Sequence, residues 1–556
     1  VGKSLETEKL GLKTEDLQYG AYRIVSGPDW LVLLGKDFDF DPVKHKLPLS
    51  RGDVKRAAAE WDEAVKKSGL TDTTWTYPFG GCFKGFWEPS TFEKDMNEQY
   101  GEDAAGLWIS GGNTVKGFWE QDGSGSMNAV HALLKQLGVR HYMPGDLGLI
   151  LPKMASISVG PINEFSKPDF AARNWRFLSY YRFSFDDVIW PRRIGMNSIY
   201  ERSSPIILSH WLVHVYGSDE MKKAHPDYYA LIGGKRDTEH RRYGTACFSS
   251  EGLVKEAANF SRFLFDQCNV RVVSLWPGDG LKICQCEKCK GKTASDLVWG
   301  FTDKVAREVY KTHPDKFVLG GAYTSYAEPP SSIEKFSPNF IISISNSGRA
   351  RMNDPEHWAE YQARVRKWAA KVEPGNILRG ENNRYHIWGI TEEGRGNPIS
   401  YPVLHPRAVA RDLKFLKEIG CYGEDGEQSQ LQGRWKHMGL EHITLYPQSQ
   451  LLWDADQDVN KIIDEYCNNF YGSAAKQMRE AIDFAENNLA VQDESRGRGR
   501  GNPMNVPLAT ALKLRDLLDK AKAAAGDSIC GKRIQIVMDC LQPRDEMIAK
   551  YETKEE

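Results

Sequence analysis

Carboxylates, amides and aromatic rings recur in this chain at the points where short apolar runs end. Trp276 and Asp279 follow Val270–Leu275, and Tyr323 and Tyr326 follow Phe317–Ala322. Asn346 follows the next run, Glu381 with Asn382 and Asn383 closes another, and Glu424, Asp425 and Glu427 close the run that begins at Tyr422. Such a set suits hydrolysis of a glycosidic bond. One carboxylic acid protonates the leaving oxygen, and a second carboxylate serves as base or nucleophile. Where the substrate carries a 2-acetamido group, that group can replace the protein nucleophile and a carboxylate then orients it. No Ser-His-Asp spacing and no nucleophile elbow offers a different chemistry. Each acid also has a plainer reading, as a solvated loop carboxylate or a partner for one of the 73 basic residues. Asp279, set between two glycines in Trp276-Pro-Gly-Asp-Gly280, is turn chemistry in its own right.

Cys284, Cys286 and Cys289 bring three thiols into six residues, and Cys247 precedes the helix that leads to the strand ending near Trp276. Four thiolates at one end of a sheet are the ligand set of a structural zinc, which would pin the loop after Asp279. One disulfide with two free thiols is the alternative in an oxidising compartment. No cofactor is expected for the chemistry itself. His210-Trp-Leu-Val-His214 has the spacing of a helical metal pair but lacks the Glu of the metalloprotease motif, so ordinary structure is its first reading, with His210 as a substrate hydrogen-bonding residue the functional one. Trp388 joins Trp276, Tyr323 and Tyr326 as a candidate sugar platform. Arg176, with Arg349, Arg379 and Arg384, would suit a uronate or sulfate.

The elements that must position these residues alternate. From residue 171 to residue 447, short apolar runs interleave with amphipathic helices, the pattern of parallel strands with crossover helices. Strands are expected at Asn174–Leu178, Ser198–Glu201, Val270–Trp276, Phe317–Tyr323, Phe340–Ser345, Ile377–Glu381, Tyr422–Glu427 and Ile443–Tyr446. Ser249 or Ser250 can cap a helix burying Leu253, Val254, Ala257, Phe260 and Leu264, and Asp354-Pro355 opens one burying Trp358, Tyr361, Val365 and Trp368. The fold class expected is α/β, a (β/α)8 TIM-type barrel over residues 166–450, with active residues at the strand C-termini. A separate α/β domain is expected over 1–165 and a helical region over 451–556. The interruption Ser495–Gly501 reads as a flexible Arg-Gly loop.

The bulk numbers agree with several domains. The chain has 556 residues, and its 73 basic and 75 acidic residues nearly cancel, which removes the electrostatic argument for nucleic acid as a partner. No apolar stretch is long enough to span a bilayer. A secreted or surface location, with any signal peptide already removed, is expected. The 16 Trp, 23 Tyr and 23 Phe supply flat faces for sugar rings as well as for ordinary cores.

Several segments together resemble one bacterial family over nearly the full length. They are Asp122-Gly-Ser, Ala129-Val-His-Ala-Leu-Leu, Leu137-Gly-Val-Arg-His-Tyr-Met-Pro-Gly145, His225-Pro-Asp-Tyr-Tyr-Ala-Leu-Ile232 and Ala246-Cys-Phe-Ser249. Pro277-Gly-Asp-Gly280 with its three cysteines, Trp453-Asp-Ala-Asp-Gln-Asp-Val459 and Phe470-Tyr-Gly472 complete the set. The chain resembles the domain-of-unknown-function family DUF4838, part of which is glycoside hydrolase family 163. The resemblance implies an N-terminal domain like the non-catalytic one of family 20 hexosaminidases and family 67 α-glucuronidases, then a catalytic barrel and a helical tail. It also implies endo-β-N-acetylglucosaminidase-like activity on N-glycans. Three functions remain open at this point: a retaining glycosidase pairing Glu381 with Glu424 or Asp425, a glycosidase for uronate or sulfated polysaccharide, and a glycan-binding barrel without catalysis.

Overall fold

The computed structural model describes residues 1–18, 20–37, 54–78, 98, 124–177, 185–197, 210–267, 270–346, 353–383, 404–428, 439–488 and 508–552. The first sheet is antiparallel. Strand β1 (Tyr22–Ser26) lies between β2 (Leu31–Gly35) and β3 (Asn163–Ser166), and helix α1 (Gly125–Gln136) packs on β1 and β2. Gly35 and Gly125 permit that packing, because a Cβ on Gly35 would lie 2.0 Å from the Gly125 backbone.

The second sheet holds the candidate chemistry. Its strands are β4 (Ala172–Phe177), β5 (Val272–Ser274), β6 (Phe317–Ala322), β7 (Phe340–Asn346), β8 (Ile377–Asn383) and β9 (Gly423–Gln428). They run in the order β4-β9-β8-β7-β6-β5 with every ladder parallel, a curled half-barrel. Between them run α2 (Glu251–Gln267), α3 (Ala294–Tyr310), α4 (Pro355–Ala369) and α5 (Pro406–Ile419). Local chemistry sets their ends. Ser250 Oγ accepts from Leu253 N at 3.3 Å, Thr293 caps α3, Asp354 accepts from Glu356 N and His357 N, and Gly420 at φ 74° terminates α5.

The helical layer covers one face of this sheet. Two consecutive glycines in β6 show which face is which. A Cβ on Gly320 would meet the Trp299 ring of α3 at 2.5 Å, whereas one on Gly321 would meet the Trp276 ring at 2.4 Å on the opposite, inner face. On the helical side Trp299, Trp368, Phe336 and Phe340 interlock, with Trp299 and Trp368 centroids 4.9 Å apart.

Two expectations meet different outcomes. The run Ile443–Tyr446 is not a strand but the first turn of α6 (His442–Trp453), whose residues are buried on every side from His442 to Leu452. A helix apolar all round carries no helical periodicity in its sequence, so a short stretch of it reads as a strand. The direct ladder between β9 and β4 also leaves no place for a strand after β9. Among the described residues the parallel sheet therefore holds six strands, and one of the eight runs expected to be strands is a helix. The strand expected at 198–201 falls between β4 and β5 in the chain and lies outside the described residues, as does the loop expected at 495–501.

Beyond α6 the chain is helical, with α7 (Val459–Tyr471), α8 (Ala475–Asn487), α9 (Leu508–Ala525) and α10 (Ile529–Glu552). Arg533 of α10 donates to the carbonyls of Leu147, Leu149 and Phe470, tying the last helix to the loop before β3. No described helix is long and apolar enough to cross a membrane.

Candidate functional site

The C-terminal ends of β5 and β6 bring one cluster together. Trp276 is 9% exposed, and its Nε1 donates to Tyr326 Oη at 3.0 Å. The Tyr323 ring stands edge-on to it at 5.7 Å, and the His210 ring lies 5.6 Å away. His210 Nδ1 donates to the carbonyl of Pro277, which can only accept. Its Nε2 therefore faces Asp279 Oδ1, at 3.3 Å, and Asp279 Oδ2 lies 3.9 Å from Arg241. The arrangement orients a partly exposed carboxylate between an imidazole and a guanidinium, in a loop open to a polar ligand. Tyr326, expected to line a sugar subsite, is instead 1% exposed and serves as the acceptor that fixes Trp276.

Backbone strain surrounds the same cluster. Among the described non-glycine residues, Arg241, Arg242 and Thr324 have positive φ, at 47°, 72° and 47°. Arg241 lies beside Asp279, Arg242 follows it in the chain, and Thr324 falls between Tyr323 and Tyr326. Each costs on the order of 1 kcal/mol or more, which the fold retains at the one place where the aromatics and the Asp279 loop meet.

The ends of β8 and β9 hold the other acids, and strand alternation separates them. Glu424 accepts a hydrogen bond from Gln448 of α6, so it faces the helical layer. It is wholly buried, in register between Arg379 and Arg173. That setting differs from the one expected of a catalytic acid. Asp425, one residue on, shares the inner face with the row containing Gly321 and is aligned with Gly380 and Asn174. It is also fully enclosed.

In the next rows Asn346, Glu381, Gly426 and Trp175 are side by side, then Asn382, Glu427 and Arg176. The side chains of Asn346, Glu381, Asn382, Glu427 and Arg176 lie outside the described set, as does all of Trp388. Trp175 in the Glu381 row stacks on Trp190 of the helix Phe185–Arg193. Of the arginines offered for an anionic sugar, Arg379 is committed elsewhere. Its Nε is 2.5 Å from Asp412 of α5, with both side chains fully buried, and its guanidinium lies over the Tyr361 ring. Arg349 and Arg384 lie outside the described residues.

His210 and His214 do not form a helical metal pair. The helix begins only at Leu212, and His214 turns the other way, its Nδ1 2.8 Å from Thr76 Oγ1. Burial pushes the His214 imidazole down to about 4, so it is neutral. The four cysteines do converge. Cys247 Sγ is 3.6 Å from Cys284 Sγ and 3.8 Å from those of Cys286 and Cys289, and all four sulfurs lie within 4.8 Å of one another.

Sequence reasoning missed three participants. Arg241 and His240 come from a 3-10 turn at His240–Arg242 with no motif to mark it, and a Cβ on Gly280 would lie 3.1 Å from His240 Nε2. Glu441, at the start of α6, is buried with neither carboxyl oxygen hydrogen-bonded among the described residues, and burial raises it to about 8. A cleft lined by His131, Lys135, Arg140, Gln450 and Trp453 opens at the far end of α6, on the side of the strand N-termini and away from these acids.

The family profile described as "Domain of unknown function (DUF4838)" matches residues 143–483. No curated protein matches the chain. Among solved structures, a family 89 glycoside hydrolase from Clostridium perfringens aligns at 11% identity with TM-score 0.43, covering 74% of this chain and 54% of that one. A GH138 enzyme targeting pectin rhamnogalacturonan II aligns at 10% identity with TM-score 0.32, covering 77% and 75%. The spore cortex-lytic enzyme SleL of Bacillus megaterium aligns at 9% identity with TM-score 0.26, covering 41% and 58%. The chain thus spans about half the length of the family 89 structure.

Proposed function

The chain belongs to the DUF4838 family, and from that premise we propose that it is a glycoside hydrolase working at the C-terminal end of its parallel sheet. The observation that carries the reading is Asp425 on the inner face, the same face that the Trp276 indole covers, with the His210–Asp279 pair after β5, separated from β9 by three strands of the curled sheet. Carboxylates that share an enclosed face with an aromatic platform have the parts glycoside cleavage needs: an acid for the leaving oxygen, a base or nucleophile, and a ring to stack on the sugar.

In this reading Asp425 is one member of the working pair and Glu427, two residues along on the same face, the other, while Asp279 and His210 bind substrate hydroxyls. The finer assignment is a retaining endo-β-N-acetylglucosaminidase acting outside the cytoplasm. The divisions of the chain in this reading are 1–165, 166–450 and 451–556. A second reading, an acidic or sulfated polysaccharide as substrate, is favoured by the place of Arg176 beside Glu427.

The test is incubation of the protein with N-glycans, uronate-containing and sulfated polysaccharides, followed by mass spectrometry of the products. Release of an oligosaccharide from N-glycans by the wild type but not by D425N supports the first reading. Release only from anionic chains moves the assignment to the second. Saturable binding with no product from any of them overturns hydrolysis.

A further inference from the structure

The loop that carries Asp279 has little core of its own. Between Lys282 and Lys292 most side chains are exposed, and only Cys284 and Cys289 are buried. Such a segment holds one conformation only if something other than apolar burial fastens it. The four sulfurs are what lies at its centre.

Their spacing identifies the fastening. Zinc–thiolate bonds of about 2.3 Å arranged tetrahedrally place sulfurs about 3.8 Å apart. The separations from Cys247 are 3.6, 3.8 and 3.8 Å. A disulfide needs about 2.05 Å between one chosen pair. Here Cys247 is near-equidistant from three partners, and no pair is singled out. The surroundings suit thiolates: Leu231 N donates to Cys284 Sγ at 3.2 Å, Cys286 N points to the same sulfur at 3.5 Å, and Ser249 Oγ is 3.2 Å from Cys289 Sγ. The backbone from Cys286 to Lys290 folds into a tight turn, with Cys289 N and Lys290 N both donating to Cys286 O at 2.9 Å. Lys282, Lys288, Lys290 and Lys292 are exposed along the same loop with the single acid Glu287, a balance opposite in sign to the net double negative charge of one divalent ion with four thiolates.

We propose that Cys247, Cys284, Cys286 and Cys289 bind one zinc ion as four thiolates, and that the ion fixes the Asp279 loop to the start of α2. Cys247 lies immediately before that helix, its carbonyl accepting from Ser250 N at 3.0 Å. The loop is further tied to the hairpin at Leu231–Arg236 by Gln285 N donating to Leu231 O and by Gly233 N donating to Gln285 Oε1, each at 2.8 Å. Lys282 pairs with Asp237 at 2.9 Å. The ion thus joins three chain segments around the residue that faces His210. The role given to Asp279 rests on the reading of the cleft as a glycan site, whereas the metal assignment does not.

The experiment is elemental analysis of the full chain purified without metal-affinity steps, paired with hydrogen exchange before and after zinc removal by a mercurial and a chelator. The expected result is one zinc per chain, and on its removal a loss of protection confined to residues 228–292. The half-buried Cys286 is the position to vary. C286S should lower zinc content by at least half, and cobalt exchanged into the wild type should show thiolate-to-cobalt charge-transfer absorption, a readout that does not depend on the variant folding. Metal-free protein with four titratable thiols and unchanged protection overturns the proposal. So does a mass deficit of two hydrogens locating a disulfide among these cysteines, or one equivalent of iron in place of zinc. None of these readouts uses hydrolysis, so an inactive but zinc-loaded protein counts against the glycosidase reading alone.

Discussion

Glu424 and Asp425 are neighbours in the chain and face opposite sides of the sheet: Glu424 meets Gln448 of α6, and Asp425 is directed to the face over which Trp276 lies. The two substitutions should therefore fail in different ways. D425N is expected to lower kcat by about a hundredfold or more, the usual worth of a positioned acid or base, with a folded circular-dichroism spectrum. E424Q removes a buried charge aligned with Arg379 and Arg173 and should cost about 3 kcal/mol of stability while leaving kcat within a few-fold at a temperature where it is folded. The reverse pattern, with E424Q inactive but stable, would put the acid on the wrong face.

Tyr323 is the ring of the cluster that remains partly exposed, since Trp276 and Tyr326 are nearly enclosed. Y323A should raise KM by about tenfold and leave kcat nearly unchanged, because a stacking platform binds ground state and transition state alike. D279N, by contrast, breaks the contact with His210 and should lower kcat and kcat/KM together. Steady-state kinetics on the oligosaccharide identified by product analysis separates the two.

The parallel strands were legible because a strand buried on both faces is a near-continuous apolar run, as in Phe317–Ala322 and Phe340–Ile344. The same property hid the phase. With both faces covered, nothing in Tyr422-Gly-Glu-Asp-Gly-Glu427 says which acid points inward, and a one-residue shift exchanges Glu424 for Asp425. Residues outside regular elements left no signal at all. Arg241 reaches Asp279 through a turn with positive φ that the composition of His240-Arg-Arg242 does not announce. The cysteines were legible because thiol spacing is itself the motif, independent of the elements that deliver it.

Arg379 and Asp412 form a buried ion pair between β8 and α5. Removing one partner leaves an uncompensated charge in the interior. D412N should accordingly destabilise the protein by about 3–5 kcal/mol, and so should R379M, while the double substitution D412L with R379M recovers much of the loss. Denaturant unfolding of the three variants measures the coupling. If R379M instead kept full stability and lost activity only toward anionic polysaccharides, Arg379 would belong to a substrate site.

Glu441 gives the protein a pH dependence opposite to that of most acids. Burial raises its carboxyl from 4.5 to about 8. Cys540, close by on α10, does not titrate in that range, because burial lifts its thiol to about 12. Between pH 4.5 and pH 8 the folded chain keeps a proton on Glu441 that the unfolded chain has released. The folded state then binds more protons than the unfolded one, so this group's contribution is fully present below about pH 4.5 and is lost as pH rises toward 8, at up to about 1.4 kcal/mol per pH unit. E441Q, a neutral residue of the same shape, has no proton to lose. Urea unfolding at pH 5, 6.5 and 8 should show the variant gaining on the wild type by a few kcal/mol across the series. Parallel stability profiles for the two proteins would mean that the folded state keeps Glu441 ionised.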